Sequence, residues 1–387
     1  MKQIYLDNAA TTDIHPDVVQ VMLETMKMNF GNPSSSHSLG REAKAVLEKS
    51  RKTVADLLNV SPLEVCFTSG GTEADNMAIN RSITDLGIKH AITSRLEHHA
   101  VLHTLEELER KGSVKLSYVE VDRKGNIDYS HLEKLLASYP GSLVSLMHAN
   151  NEIGTLIDLR KTALLCNEYE AVFHSDTVQT IGHFAHDFSK TPLHFATGAA
   201  HKFHGPKGIG FLYINKNIGI RPLIYGGAQE RQMRGGTENI YGIVGLARAL
   251  ELSYSHMNEH CSHIQGLKGY MMRQLTANIP NIQFNGETGV DNSLYTVLSV
   301  SLPVTEASDQ MLFHLDMSGI AASGGSACSA GSDKASHVLQ AIGADTARPN
   351  IRFSFCSSNT KEEIDYVVAR LYDRCVGNTA ETADRHF

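Results

Sequence analysis

Between Ala199 and Gly210 the chain reads Ala-Ala-His-Lys-Phe-His-Gly-Pro-Lys-Gly-Ile-Gly. A lysine set between small residues and a tight turn suits a Schiff base to an aldehyde, for which its amine must be partly desolvated and neutral. Lys202, directly after His201 and before the glycine turn, is the better candidate than Lys207; two surface lysines beside a turn is the alternative. Ser175-Asp-Thr-Val-Gln179 follows an apolar run, the place where open α/β sheets bind ligands. Asp176 there is placed to hold a proton on a ring nitrogen, with Gln179 three residues on, or else it is a plain helix N-cap.

Thr68-Ser-Gly-Gly-Thr-Glu-Ala-Asp75 carries a strand into two glycines and a Thr-led helix start. Free N–H groups at a helix N-terminus bind anions, and glycine lets a phosphate approach the backbone; a capped turn is the alternative. Glu97-His-His-Ala-Val101 offers an imidazole that can stack on a flat ring and move protons near neutral pH, or a surface histidine. His148-Ala-Asn-Asn-Glu-Ile-Gly154 ends a strand with two amides that need partners, in a polar pocket or a turn. Ser323 to Ser332 is ten small residues around a single Cys328, a composition that predicts an exposed loop whose thiol can travel to a substrate. Arg352, inside the apolar run Ile351 to Phe355, needs a partner: a substrate carboxylate gripped by its guanidinium fork, or a structural ion pair.

The elements that must position these residues follow from apolar spacing. Strand-like runs at 65–68, 142–148, 171–175 and 209–214 alternate with helical stretches such as Glu42 to Leu58 and Thr72 to about Ile83. This alternation predicts an α/β unit with a largely parallel sheet. After about Tyr241 the pattern changes. Helical stretches at 243–257 and 260–277 precede strand-like 296–302 and 351–355, with helices at 308–317 and 361–374, which predicts a smaller α+β unit. The segment 377–387 is polar.

Composition narrows the function classes. The chain has 387 residues, room for two to three domains and a sizeable core. A formal charge of -7 argues against a dominant nucleic-acid footprint. No run approaches a membrane span, and the polar N-terminus lacks a signal peptide's apolar stretch, so a cytoplasmic protein without membrane partners is expected. Six cysteines include no C-x-x-C pair, and twenty histidines include no H-E-x-x-H, so no metal is expected.

Taken together, these segments resemble the cysteine desulfurases, class V of the fold type I pyridoxal 5'-phosphate (PLP)-dependent aminotransferase superfamily. The likeness runs from Tyr5-Leu-Asp-Asn-Ala-Ala-Thr-Thr12 to Glu362-Glu-Ile-Asp365. It includes Gly31-Asn-Pro-Ser-Ser-Ser-His37, Gly226-Gly-Ala-Gln-Glu-Arg231 and Arg234-Gly-Gly-Thr-Glu-Asn239 in the family's order. The resemblance implies a large PLP-binding domain over 15–256, and a small domain of 1–14 with 257–387 that carries the catalytic cysteine loop. It implies Lys202 as the covalent anchor of PLP and His98 stacked on the pyridine ring and exchanging protons. Asp176 would pair with the ring nitrogen and Gln179 with the ring oxygen. Gly71, Thr72 and His201 would hold the phosphate, with Thr237 reaching it from the other subunit of a homodimer. Asn151 and Arg352 would bind substrate, and Cys328 would be the persulfide nucleophile.

The implied activity converts L-cysteine to L-alanine and hands sulfur, through an acceptor protein, to iron–sulfur or thiolation pathways. Direct nucleic-acid binding is not expected. The alternatives are a selenocysteine lyase, another class V aminotransferase, or a catalytically silent scaffold for sulfur-transfer proteins. Two positions depart from the family pattern. Ala199 stands where a phosphate-binding Ser is usual, which predicts weaker cofactor binding, and Thr177 stands where Ala is usual. The length of the Cys328 loop places the chain with the long-loop group.

Overall fold

Buried strands with apolar side chains on both faces call for a sheet covered by helices on each side, and this arrangement dominates the computed structural model. It describes residues 3–305, 308–324 and 336–377. In chain order the strands are β1 (Ile4–Tyr5), β2 (Val65–Thr68), β3 (His90–Thr93), β4 (Lys115–Tyr118), β5 (Leu143–Ser145) and β6 (Val172–Asp176). Then come β7 (Phe195–Ala199), β8 (Gly210–Ile214), β9 (Gln283–Asn285), β10 (Val297–Ser301), β11 (Ile320–Ala321) and β12 (Asn350–Ser354). The helices are α1 (Pro16–Met28), α2 (Ser38–Leu57), α3 (Gly71–Asp85), α4 (His99–Arg110), α5 (Tyr129–Ser138) and α6 (Leu159–Glu168). They continue with α7 (Ile240–Ser255), α8 (Met257–Asn278), α9 (Met311–Met317), α10 (His337–Ala341) and α11 (Lys361–Tyr372).

The main sheet has seven strands in the order β2-β8-β7-β6-β5-β3-β4. β8 runs antiparallel to both neighbours, and the pairs from β7 to β4 are parallel. One face is covered by α3 and α4, whose Ile79, Ile83, Val101 and Leu105 share a core with Ala91 and Leu143. The other packs against Leu47, Val54 and Leu58 of α2 and its C-cap, and against Ile243, Leu246 and Leu250 of α7. Near the β2 and β7 ends three backbones converge. A Cβ on Gly210 would lie 2.5 Å from Gly198 O and 2.8 Å from Gly70 Cα, so only glycine fits there.

A second core joins Ile4 and Leu6 to α8, β10, β12 and α11. Its three-stranded sheet is antiparallel, in the order β12-β10-β9, and β1 pairs in parallel with β11. The sheet-and-helix alternation expected from the sequence is thus present, with differences at element ends. The strand expected over 142–148 shortens to β5: Leu146 and His148 still donate to His174 O and Asp176 O of β6, but the Met147 N–H binds the Glu97 carboxyl. The helix expected over 308–317 divides into a 3-10 turn and α9, and that over 361–374 ends at Tyr372 and continues as a π-helical turn.

Candidate active site

Most of the chemistry-bearing residues converge on one cavity of about 250 Å³ at the C-terminal edge of the main sheet. β6 ends on Asp176. β7 ends on Ala199 and tightens into a 3-10 turn that presents His201 and Lys202. α3 begins at Gly71, so the N–H groups of its first turn face the cavity beside Gly71 and Thr72. A Cβ on Gly71 would sit 2.9 Å from Val178 Cγ2, so the glycine keeps that approach open. His98 caps α4, and Asn151 follows β5. The smaller sheet contributes Arg352 from β12, and the N-terminal segment contributes Ala9 and Ala10.

Lys202 donates from Nζ to Ala9 O at 2.6 Å and Ala10 O at 2.9 Å. Gln179 Nε2 donates to the same Ala9 carbonyl at 3.1 Å. Lys207 is exposed and outside the cavity, so the structure separates the two candidate lysines. Asp176 is 7% exposed, and its Oδ1 accepts from Val178 N–H at 2.9 Å. Burial, then the nearby Asp75, push its carboxyl up to about 7. His201 Nδ1 lies 3.2 Å from Thr11 Oγ1, and burial followed by the Lys202 charge brings its imidazole down to about 4.

Arg352 has the structural ion pair that its place in an apolar strand called for, and it faces the cavity. The pair joins Nη2 to Asp7 Oδ1 at 2.8 Å, while Nη1 donates to Asn151 O at 3.0 Å. Its buried Nε has no hydrogen-bond partner. Ala199 presents a methyl to the cavity, so no hydroxyl is offered there. Thr177 is buried, with its hydroxyl donated to Thr197 O at 2.7 Å. Thr237 is exposed and does not line the cavity of its own chain. Cys328 lies outside the described residues. Ser336 and His337, which follow its segment, are held to the cavity wall. Ser336 Oγ donates to Glu152 Oε2 at 2.5 Å, and His337 Nε2 lies 3.0 Å from Glu97 O.

Several residues of the site escaped the sequence reading. Asp75 sits one helical turn after Gly71 and lines the cavity; that spacing places both on one face of α3 and was a usable signal. Its Oδ1 lies 3.3 Å from His174 Nε2, and His174 Nδ1 is 2.8 Å from Ser145 Oγ. Burial raises Asp75 to about 7 and lowers His174 to about 4, so the imidazole stays uncharged near neutral pH and the contact is not an ion pair. Glu97 is buried against Ser94 Oγ and Met147 N–H, and burial lifts its carboxyl to about 8. Among the described residues, no group of His, Cys, Asp or Glu is arranged to hold a metal ion, and no helix is long and apolar enough to cross a membrane.

Residues 4–367 match the profile of the aminotransferase class-V family. The chain is 40% identical to the cysteine desulfurase IscS of Dictyoglomus turgidum over 95% of its length and 93% of the relative's. It is 41% identical to the cysteine desulfurase IscS of Clostridium botulinum strain Hall, over 96% and 94%. A solved structure of a NifS-like protein superposes with a TM-score of 0.88 at 37% identity, covering 96% of this chain and 99% of the other.

Proposed function

The chain belongs to the class-V aminotransferases, within the cysteine desulfurases, and from that premise we propose that it uses PLP to convert L-cysteine to L-alanine and takes the sulfur onto Cys328 as a persulfide. One observation carries the reading: a lysine amine, a buried carboxyl and a helix N-terminus face the same cavity. These three features fit PLP, an aldehyde with a basic ring nitrogen and a phosphate. A cation at that nitrogen would supply the opposite charge that brings Asp176 back to its ionised form.

PLP, when bound, supplies an electron sink for a carbanion at the substrate Cα. The chain's own residues do the rest. Lys202 would hold the cofactor through Nζ, giving up the Ala9 and Ala10 carbonyls, and when freed its neutral amine would take the substrate's Cα proton. Asp176 would keep the ring nitrogen protonated, Gln179 would contact the ring oxygen and His98 would stack on the ring. The N–H groups at Gly71 and Thr72 receive the phosphate with His201, and Thr237 of a second copy completes the set. Asn151 and Arg352 bind the substrate, with Arg352 held in line by Asp7 for the α-carboxylate.

The Cys328 thiolate attacks the substrate sulfur. An S–S bond forms and the Cβ–S bond breaks. The electron pair passes to Cβ, which takes up the proton released when the Cys328 thiol ionised, Lys202 returns its own proton to Cα, and alanine leaves. The anchoring of Ser336 and His337 on the cavity wall supports Cys328 as the residue that meets the substrate. A sulfur-acceptor protein then takes the outer sulfur, for cluster assembly or thiolation. The same reading includes a homodimer, a cytoplasmic location, and a division into a large domain of 15–256 and a small one of 1–14 with 257–387.

The test is spectroscopic and chemical. Purified protein with PLP should show a visible band that cysteine perturbs and borohydride fixes to Lys202, and it should form alanine and sulfide from cysteine. Cys328→Ala should keep the band and lose the sulfide. A protein that stays colourless with PLP overturns the reading. Sulfide at the full rate from Cys328→Ala removes the persulfide step.

A further inference from the structure

The ring of His98 is fixed by the helix it begins. His98 is the N-cap of the twelve-residue α4, and its Nδ1 accepts the Ala100 N–H at 3.2 Å. A nitrogen that accepts a hydrogen bond carries no proton, so the neutral ring bears its hydrogen on Nε2. Protonating Nδ1 would break the cap and set a positive charge on the positive end of the helix.

The surroundings add no opposing charge. From the turn after β7, Lys202 faces the ring; from α4 itself, His99 and His103; and from α10, His337. The nearby carboxyls are engaged elsewhere, Glu97 with Ser94 and Met147, and Asp176 with Val178. Burial first, then the Lys202 charge and the neighbouring imidazoles, bring the His98 imidazole down to about 4. His15 and His37 cap α1 and α2 through Nδ1 in the same way, at more open positions.

Resting on the proposed PLP site, we infer that His98 is a fixed Nε2–H donor and stacking surface, locked in one tautomer by the α4 cap, and that it does not carry protons in the reaction. With Nδ1 occupied by a backbone N–H and Nε2 already protonated, neither nitrogen can receive a proton from substrate. Proton movement at the substrate carbons therefore falls to Lys202, and His98 orients.

The inference is tested by ¹⁵N NMR on protein labelled at histidine, with and without PLP, the His98 signals being assigned by their loss in His98→Asn or, if that variant does not fold, His98→Gln. The expected result is unprotonated Nδ1, protonated Nε2 and no titration through the neutral range in either state. Proton on Nδ1, or a midpoint near neutrality, overturns it. His98→Asn keeps an acceptor for Ala100 and an N–H donor but cannot titrate. It should lower turnover while both limbs of the kcat/KM pH profile stay in place, and loss of a limb overturns the inference. Failure of the wild-type protein to take up PLP would sink the proposed function, and the NMR result would stand apart from it.

Discussion

Asp176 draws its importance from what surrounds it: a carboxyl almost removed from water, with Asp75 as a neighbour of the same sign. A ring cation relieves that situation, and the pair gains a charge-assisted hydrogen bond of roughly 1.5–3 kcal/mol. Asp176→Asn keeps the shape and removes the charge. Its Kd for PLP, from absorbance titration, is expected to rise roughly 10–100-fold. At this scale the sequence was legible where a residue stands in improbable company. Lys202 among small residues, Arg352 in an apolar run and Asp176 at a strand end all announced themselves. Asp7, Asp75, Glu97 and His174 did not, because what defines them is a partner or a burial that the fold supplies. Asp7 meets Arg352 from 345 positions away.

Among the elements, the connection between β8 and α7 is held by a buried ion pair. Glu230, Arg231 and Gln232 all have positive φ, at 46°, 57° and 67°, in a chain segment without glycine at those positions. The turn is fixed by a buried pair: Arg51 of α2 donates from Nη1 and Nη2 to the two Glu230 oxygens at 2.7 and 2.8 Å. Phe67 N–H adds a third bond to Glu230 at 2.8 Å. Glu230→Ala leaves the buried Arg51 with only its longer 3.4 Å ion pair to Glu48, so a loss of about 3 kcal/mol is expected in denaturant melts. The sequence pattern revealed the alternation of strands and helices, since periodicity is local. It did not reveal this turn or the β1–β11 pairing, whose two-residue strands are too short to show any period.

On the scale of the whole molecule, two sets of buried groups pull stability in opposite directions. Asp75, Asp176 and Glu97 are raised to about 7, 7 and 8, so their contribution is full below their ordinary values and is lost as pH climbs through the raised ones. Six imidazoles are lowered furthest, His98, His174, His183, His186 and His201 to about 4 and His148 to about 3, and His90, His99, His194 and His260 are lowered as well. Their contribution is full above the ordinary 6.5 and is lost as pH falls toward the lowered values. Below 6.5 the larger imidazole set governs, and between 6.5 and about 8 the raised carboxyls act. The Tm of the cofactor-free protein should therefore peak near pH 6.5, and PLP should flatten the alkaline fall by ionising Asp176. Scanning calorimetry across pH checks both.

The exposed Thr237 supplies a test of assembly. In a mixed dimer of Lys202→Ala and Thr237→Ala chains, action across the interface leaves one intact site, and action within the chain leaves none. Activity near half that of the parent dimer is the expected result.

The berth of the Lys202 amine has a mechanical side. Ala9 O receives it, while Ala9 N–H is tied to Ser354 Oγ at 2.8 Å and Asn8 reaches the Ser354 carbonyl. Residues 7–12 are thus a strap slung between the lysine and the last strand of the minor sheet. Under the proposed PLP site, loading that draws Nζ away from Ala9 and Ala10 removes one hold on this strap and leaves its ties to the strand that bears Arg352.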